Sequence, residues 1–237
     1  ARAVCAPLQN GIRWAGEVLE SGVRLVADKR ELAAENQRLR RRVAELTQET
    51  QLLTELRFEN QRLRDMLGFA RARPDWTLKA ATIIARSPAS WYHGLTIDRG
   101  ERDGVRPDMV VVTPQGLVGR VTGTTARTAE VLLITDRESA VGVLVQANRI
   151  QGLLEGYGDR NRLRMVNISY DADVRRGQVV VTSGVSEIFP GGIPVGKVVS
   201  VSSGARGLLK QAVIRPAVDF DRVEEVFVLV SEQAGGS

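Results

Sequence analysis

The hexapeptide Glu-Asn-Gln-Arg-Leu-Arg occurs twice in this chain, at 35–40 and again at 59–64. Around the first copy leucine recurs every seven residues, at Leu25, Leu32, Leu39, Leu46 and Leu53. A sustained seven-residue repeat keeps one apolar stripe facing a partner helix, so it implies a supercoil rather than a solitary helix. With these leucines at d, the a positions hold Lys29, Asn36, Val43 and Thr50. A single Asn at a, flanked by Leu at d, fixes register and strand number in two-stranded coils. The second hexapeptide lies 24 residues on, three sevens plus three, and the ladder slips to match: Leu56 follows Leu53 after three residues. With Leu56 at d, Asn60 falls on a, Leu63 on d and Leu67 on a, across one stammer that overwinds the coil. The predicted dimerisation seam is therefore Leu25, Leu32, Asn36, Leu39, Val43, Leu46, Leu53, Leu56, Asn60 and Leu63. A lone helix packed on its own domain needs a wider apolar face than this. Arg40, Arg41 and Arg42 take flanking and outer positions and read as a solvated face.

The organisation changes once along the chain. Residues 1–20, with Pro7, Gly11 and Gly16, are expected to be irregular or only partly helical, a membrane-proximal segment. The coiled-coil helix is expected over 21–68, a rod of roughly 70 Å at about 1.5 Å per residue. Gly68 follows the last periodic leucine, where a left-handed residue closes a helix, and Pro74 blocks continuation. Residues 69–77 then read as a linker, 78–231 as the β module and 232–237 as a flexible tail.

After Pro74 the pattern has period two, in twelve short runs at 78–85, 91–98, 109–113, 117–122, 129–134, 140–146, 149–155, 162–166, 178–182, 194–202, 209–215 and 224–230. Twelve short strands with Gly, Pro, Asp and Ser between them predict sandwiches or barrels. The near-absence of helical patterning excludes parallel βαβ units. The region also repeats itself. Val110-Val111-Val112-Thr113 matches Val179-Val180-Val181-Thr182 at an offset of 69, each preceded by Val-Arg. Leu117-Val118-Gly119-Arg120-Val121 resembles Pro194-Val195-Gly196-Lys197-Val198 at an offset of 77. The eight extra residues fall around Phe189-Pro190-Gly191-Gly192. Two related β units follow, each with a Val-rich strand and a Gly-x-Val return strand.

Charge and composition exclude several classes. The formal net charge is +5 over 237 residues and is spread out, with 14 Lys+Arg against 11 Asp+Glu in 1–77 and 19 against 17 in 78–237. No basic run interleaved with aromatics is present, so no nucleic-acid surface is expected. No stretch reaches the roughly 18 apolar residues a membrane span needs. The chain begins at Ala1 without Met, as a processed or trimmed form would, which leaves an upstream anchor open. The one cysteine, Cys5, gives no disulfide framework.

No catalytic, metal or cofactor residues are expected. A Ser-His-Asp relay needs a base, and the one histidine, His93 in Trp91-Tyr92-His93-Gly94, reads as packing on a strand face shared with Trp91. Ser183 precedes Gly184, but no nucleophile elbow surrounds it. Asp98, Asp103, Asp136, Asp171 and Asp173 sit in turn contexts, where Asp caps its own backbone. The spacing of Asp171 and Asp173 alone is a weak metal signal, and the terminal Glu of an EF-hand loop is absent. Phe189, Pro190, Gly191, Gly192 and Pro194 form a structural turn, two prolines fixing φ beside two glycines that allow angles other residues avoid.

In order along the chain, Leu67-Gly68-Phe69 after the coil, Ile97-Asp98-Arg99-Gly100 with Asp103-Gly104-Val105, Gly116-Leu117-Val118-Gly119-Arg120-Val121, Leu133-Ile134-Thr135-Asp136 and Phe189-Pro190-Gly191-Gly192-Ile193-Pro194-Val195-Gly196-Lys197-Val198 resemble the MreC family of rod shape-determining proteins. The resemblance covers nearly the whole chain. It implies a mainly β fold behind a long helical coil, with two six-stranded β-barrels in a chymotrypsin-like arrangement that lacks catalytic residues. It implies a cytoplasmic tail and one membrane helix, both missing here, with the rest on the extracytoplasmic face of the bacterial cytoplasmic membrane, the periplasm in a Gram-negative cell. It implies a noncatalytic scaffold of the elongation machinery, a homodimer capable of further self-assembly, with MreB, MreD, RodA and penicillin-binding protein 2 as partners in peptidoglycan synthesis. The alternative is a periplasmic adaptor of an efflux or secretion complex, since Asp173-Val174-Arg175-Arg176-Gly177-Gln178-Val179 superficially resembles lipoyl-domain turns. An adaptor, however, inserts a helical hairpin between β segments. A zipper transcription factor needs a dense basic region just before its coil, where Glu17, Glu20 and Asp28 stand instead.

Overall fold

The computed structural model describes residues 6–87, 93–186, 188–203 and 209–230, with the side chains of 6–31, 33, 34 and 203 outside the description. One helix, α1 (Ala6–Arg71), precedes twelve strands: β1 (Leu78–Arg86), β2 (Gly94–Ile97), β3 (Val110–Thr113), β4 (Gly116–Thr124), β5 (Ala129–Leu133), β6 (Ala140–Val145), β7 (Gln151–Asp159), β8 (Arg162–Ser169), β9 (Val179–Thr182), β10 (Pro194–Ser203), β11 (Leu209–Pro216) and β12 (Glu225–Leu229). Every expected strand is present. The chain divides into two compact units, residues up to Leu63 and residues from Arg64 onward.

α1 is longer than expected at both ends. The irregularity anticipated over 1–20 is not found from Ala6 onward. Pro7 falls in the first turn, where its missing N–H has no helical partner to lose. Gly11 and Gly16 cost about 1 kcal/mol each relative to Ala without breaking the hydrogen-bond ladder. Gly68 is likewise helical, not left-handed, and its carbonyl accepts from the Ala72 N–H at 3.1 Å. The last turns are held by packing: Met66 is buried and Phe69 and Ala70 pack against the core. Phe69 stacks on Phe227 of β12 at 5.9 Å and meets the edge of Trp76 at 6.3 Å. The Arg73 guanidinium lies over both rings, 4.7 Å from Phe69 and 4.3 Å from Trp76.

The twelve strands close two barrels of six, β1-β12-β3-β4-β5-β2 and β10-β11-β8-β7-β6-β9, with every pairing antiparallel. Closure leaves no open sheet edge. Read around the ring from β3, the first barrel runs β3-β4-β5-β2-β1-β12; from β9, the second runs β9-β10-β11-β8-β7-β6. The orders coincide strand for strand, β1–β5 matching β7–β11 and β12 matching β6. The chain is thus two six-strand halves, β1–β6 and β7–β12, each giving its last strand to the other's barrel. The Val-Val-Val-Thr strands of the internal repeat are β3 and β9, and the Gly-x-Val strands are their hairpin partners β4 and β10. Gly119 and Gly196 hold equivalent places. A Cβ on Gly119 would lie 1.9 Å from the Leu132 carbonyl oxygen, and one on Gly196 would lie 2.1 Å from that of Arg215. Both barrels require glycine where β4 or β10 presses on its neighbour. A continuous apolar core runs through both, from Ile97, Leu117 and Val228 in the first to Leu154, Met165 and Ile214 in the second.

Candidate functional site

α1 carries a row of large aliphatic side chains that the rest of the chain leaves uncovered. Leu32, Leu39, Val43, Leu46, Leu53, Leu56 and Leu63 are each 44–65% exposed. Asn36 and Asn60 are also exposed; the Leu25 side chain lies outside the described residues. Thr50, at an expected a position, donates its hydroxyl to the Leu46 carbonyl at 2.7 Å, so its polar group is satisfied within its own helix. Leu52, Phe58 and Leu67 of the same helix are exposed as well, at 57–63%. Among the described residues no helix is long and apolar enough to cross a membrane.

His93 and Asp136 are brought together, but through the main chain. Asp136 is buried between β5 and β6. One carboxylate oxygen accepts from the His93 backbone N–H at 2.6 Å, and the other accepts from the Glu138 N–H at 2.8 Å. The carboxylate therefore ties the start of β2 to the β5–β6 crossover. The His93 ring is buried with Nδ1 making no hydrogen bond. Trp91, expected to share its face, lies outside the described residues.

The turn residues do structural work around Thr182. Its hydroxyl donates to the Pro190 carbonyl and accepts from the Ile193 N–H at 2.9 Å, while its own carbonyl accepts from the Gly192 N–H at 2.9 Å. Phe189 is buried beneath. Of the two glycines expected to need unusual angles, only Gly192 does, at φ 86°; Gly191 has ordinary φ and is confined by contact, since a Cβ there would meet the Gly184 Cα at 3.3 Å.

The other turn aspartates are each occupied. Asp98 accepts from the Thr82 N–H at 2.7 Å, and Asp103 from the Gly100 N–H at 3.2 Å. The Ser169 hydroxyl donates to Asp171 and holds its carboxyl below the usual range. Asp173 pairs with Arg175 at 2.7 Å, which raises the guanidinium's already high pKa. Among the described residues no group of three or more His, Cys, Asp or Glu is placed to hold a metal. A polar depression of about 600 Å³, which the sequence did not reveal, lies between the 137–140 crossover and strands β7 and β8. There Arg164 pairs with Glu155 at 2.8 Å and lies 5.6 Å from the centre of the Tyr157 ring.

The model for the barrel core of rod shape-determining protein MreC matches residues 83–230. Cell shape-determining protein MreC of Listeria monocytogenes is 36% identical over 216 residues, covering 90% of this chain and 73% of that relative. A solved structure of MreC from the same organism superposes with a TM-score of 0.61 at 37% identity, covering 82% of this chain and 95% of that one. A structure described as a complex between penicillin-binding protein 2 and MreC from Helicobacter pylori matches with a TM-score of 0.53 at 19% identity, covering 65% of this chain and 98% of that one. That last likeness is one of fold.

Proposed function

The chain belongs to the MreC family of rod shape-determining proteins, and on that premise we propose that it is a noncatalytic scaffold for cell-wall elongation. Two copies join along α1 in a parallel coiled coil and present their double barrels to peptidoglycan synthesis proteins. The observation that carries this reading is the exposed leucine row on α1, which a second copy of the same helix covers by knobs-into-holes packing. Penicillin-binding protein 2 is the first partner proposed, supported by the likeness of fold to an MreC from a complex with that enzyme. RodA, MreD and MreB follow from the family resemblance. So do an upstream membrane helix in the precursor and a place outside the cytoplasmic membrane. A scaffold rather than an enzyme is supported by Asp136, which spends both carboxylate oxygens on backbone N–H groups. The adaptor reading gains no support, since α1 precedes all twelve strands.

Sedimentation with and without the ectodomain of a penicillin-binding protein 2 tests the proposal. The intact chain should sediment as a dimer and bind. Leu39→Asp with Leu46→Asp buries two carboxylates per helix in the seam and should give a folded monomer that binds more weakly, because linkage of two modules raises effective concentration. A parent chain that is monomeric at micromolar concentration and does not bind the ectodomain would refute it.

A further inference from the structure

A groove of about 340 Å³ lies where the β3–β4 turn of the first barrel meets strands β10 and β11 of the second. Gln115, at the tip of that turn, forms one wall. Val179, Pro194, Pro216 and Ala217 make most of the rest. The two prolines offer no N–H, so the groove presents apolar surface rather than backbone donors. Lys197 and Arg215 also line it.

These two cations are direct cross-strand partners. Lys197 opposes Arg215 across β10–β11 and Val179 across β9–β10. Opposed residues project from the same face of a sheet, so Val179, Lys197 and Arg215 form one row. Like charges directly opposite are destabilising. Both side chains are exposed, and neither makes an ion pair or hydrogen bond among the described residues. Three other barrel arginines have carboxylates: Arg120 pairs with Asp108 at 2.7 Å, Arg160 with Asp221 at 2.7 Å and Arg164 with Glu155 at 2.8 Å. An unneutralised cation pair beside an apolar concavity is complementary to a ligand that brings its own anion and an apolar neighbour.

We propose that this groove docks an extended segment of a partner protein, setting an acidic side chain between Lys197 and Arg215 and the next apolar side chain against Val179, Pro194, Pro216 and Ala217. The proposal rests on the docking reading above and gives it a place and a chemistry. A volume of this size, near the low end of the roughly 300–1,000 Å³ of binding pockets, suits a short segment. A polyanion would instead match a longer basic stripe, whereas two of the residues lining the groove are cations.

The test uses the intact chain and a fluorescein-labelled peptide, acetyl-Leu-Glu-Leu-Glu-Leu-amide, with its Gln counterpart as control, followed by anisotropy. The acidic peptide should bind and the Gln peptide should not. Lys197→Ala with Arg215→Ala, both exposed, should weaken binding roughly two- to thirtyfold, as expected for two exposed charge contacts. Ala217→Trp should weaken it by filling the groove while leaving both charges in place. Equal binding of the Gln peptide, or unchanged affinity in both variants, overturns the proposal. Displacement by inorganic phosphate, where chloride at equal ionic strength has no effect, marks a plain anion site and overturns it too. Ectodomain binding by the parent chain is scored separately. Its absence in a monomeric parent chain would refute the scaffold reading, whereas peptide binding that both variants leave intact would refute only the groove.

Discussion

Phe69→Ala tests whether the end of α1 is part of the first barrel's core. Phe69 is half-buried, stacked on Phe227 at 5.9 Å and edge-on to Trp76 at 6.3 Å, with Arg73 over its face. Truncating a fully buried Phe costs about 3–5 kcal/mol, so half-burial brings the loss to about 2. The two aromatic pairs add about 0.5–1.5 kcal/mol each beyond area, and some of that remains between Trp76 and Arg73. The expected destabilisation is about 3 kcal/mol. With a urea m-value of about 2 kcal/mol/M, the midpoint should fall by about 1.5 M in equilibrium unfolding followed by near-UV circular dichroism. Arg71→Ala, exposed two residues away, should stay within about 0.5 kcal/mol. A Phe69→Ala midpoint no lower than that of Arg71→Ala would show that the helix end rests on the barrel without stabilising it. The same contacts make Arg64 a better start for a soluble fragment than Asp75, since Met66 and Phe69 would otherwise be lost.

Asn36→Ile with Asn60→Ile should raise the thermal midpoint of the helix and broaden the oligomer distribution in sedimentation, because polar a residues trade stability for register; a lower midpoint with an unchanged dimer would remove both from the seam. Gly192→Val, at φ 86°, should cost about 1–3 kcal/mol by calorimetry, and an unaltered melt would refute the strain. Asp171 has its folded pKa held below the ordinary carboxylate value by the Ser169 hydroxyl. Its contribution to stability is therefore present above the ordinary carboxylate range and lost as pH falls through the folded value. An NMR titration midpoint at or above the ordinary value would contradict the hydrogen bond.

The strands were legible because period-two patterning and turn residues are local. Val110–Thr113 and Val179–Thr182 announced themselves as a repeated strand, and the hairpins they form were implied by the Gly-x-Val runs that follow. The assignment of strands to barrels was not legible. β6 and β12 each join the half of the chain they do not belong to, and nothing in Ala140–Val145 or Glu225–Leu229 records a partner chosen by tertiary packing. Gly68 misled for a related reason: Met66 and Phe69 hold the final turns against the barrel, and that contact outweighs the local tendency of Gly to end a helix. The exposed aliphatic positions on α1 were readable from leucine spacing alone. The groove was not, because Gln115, Lys197 and Arg215 are separated by up to a hundred residues and meet only after both barrels close.

The proposed assembly is a parallel, in-register pair of α1 helices carrying two double barrels. Single cysteines at Asn36→Cys and Asn60→Cys, in a Cys5→Ser background, test it by mild oxidation, with Arg41→Cys on the outer face as control. In a parallel coil each seam position lies opposite its own copy, within the roughly 4.4–6.8 Å Cα separation a disulfide needs. Both seam variants should form disulfide-linked dimers rapidly, and the outer variant should not. Failure of both to cross-link alone, with cross-linking only when Asn36→Cys is mixed with Asn60→Cys, would show antiparallel helices and contradict the account.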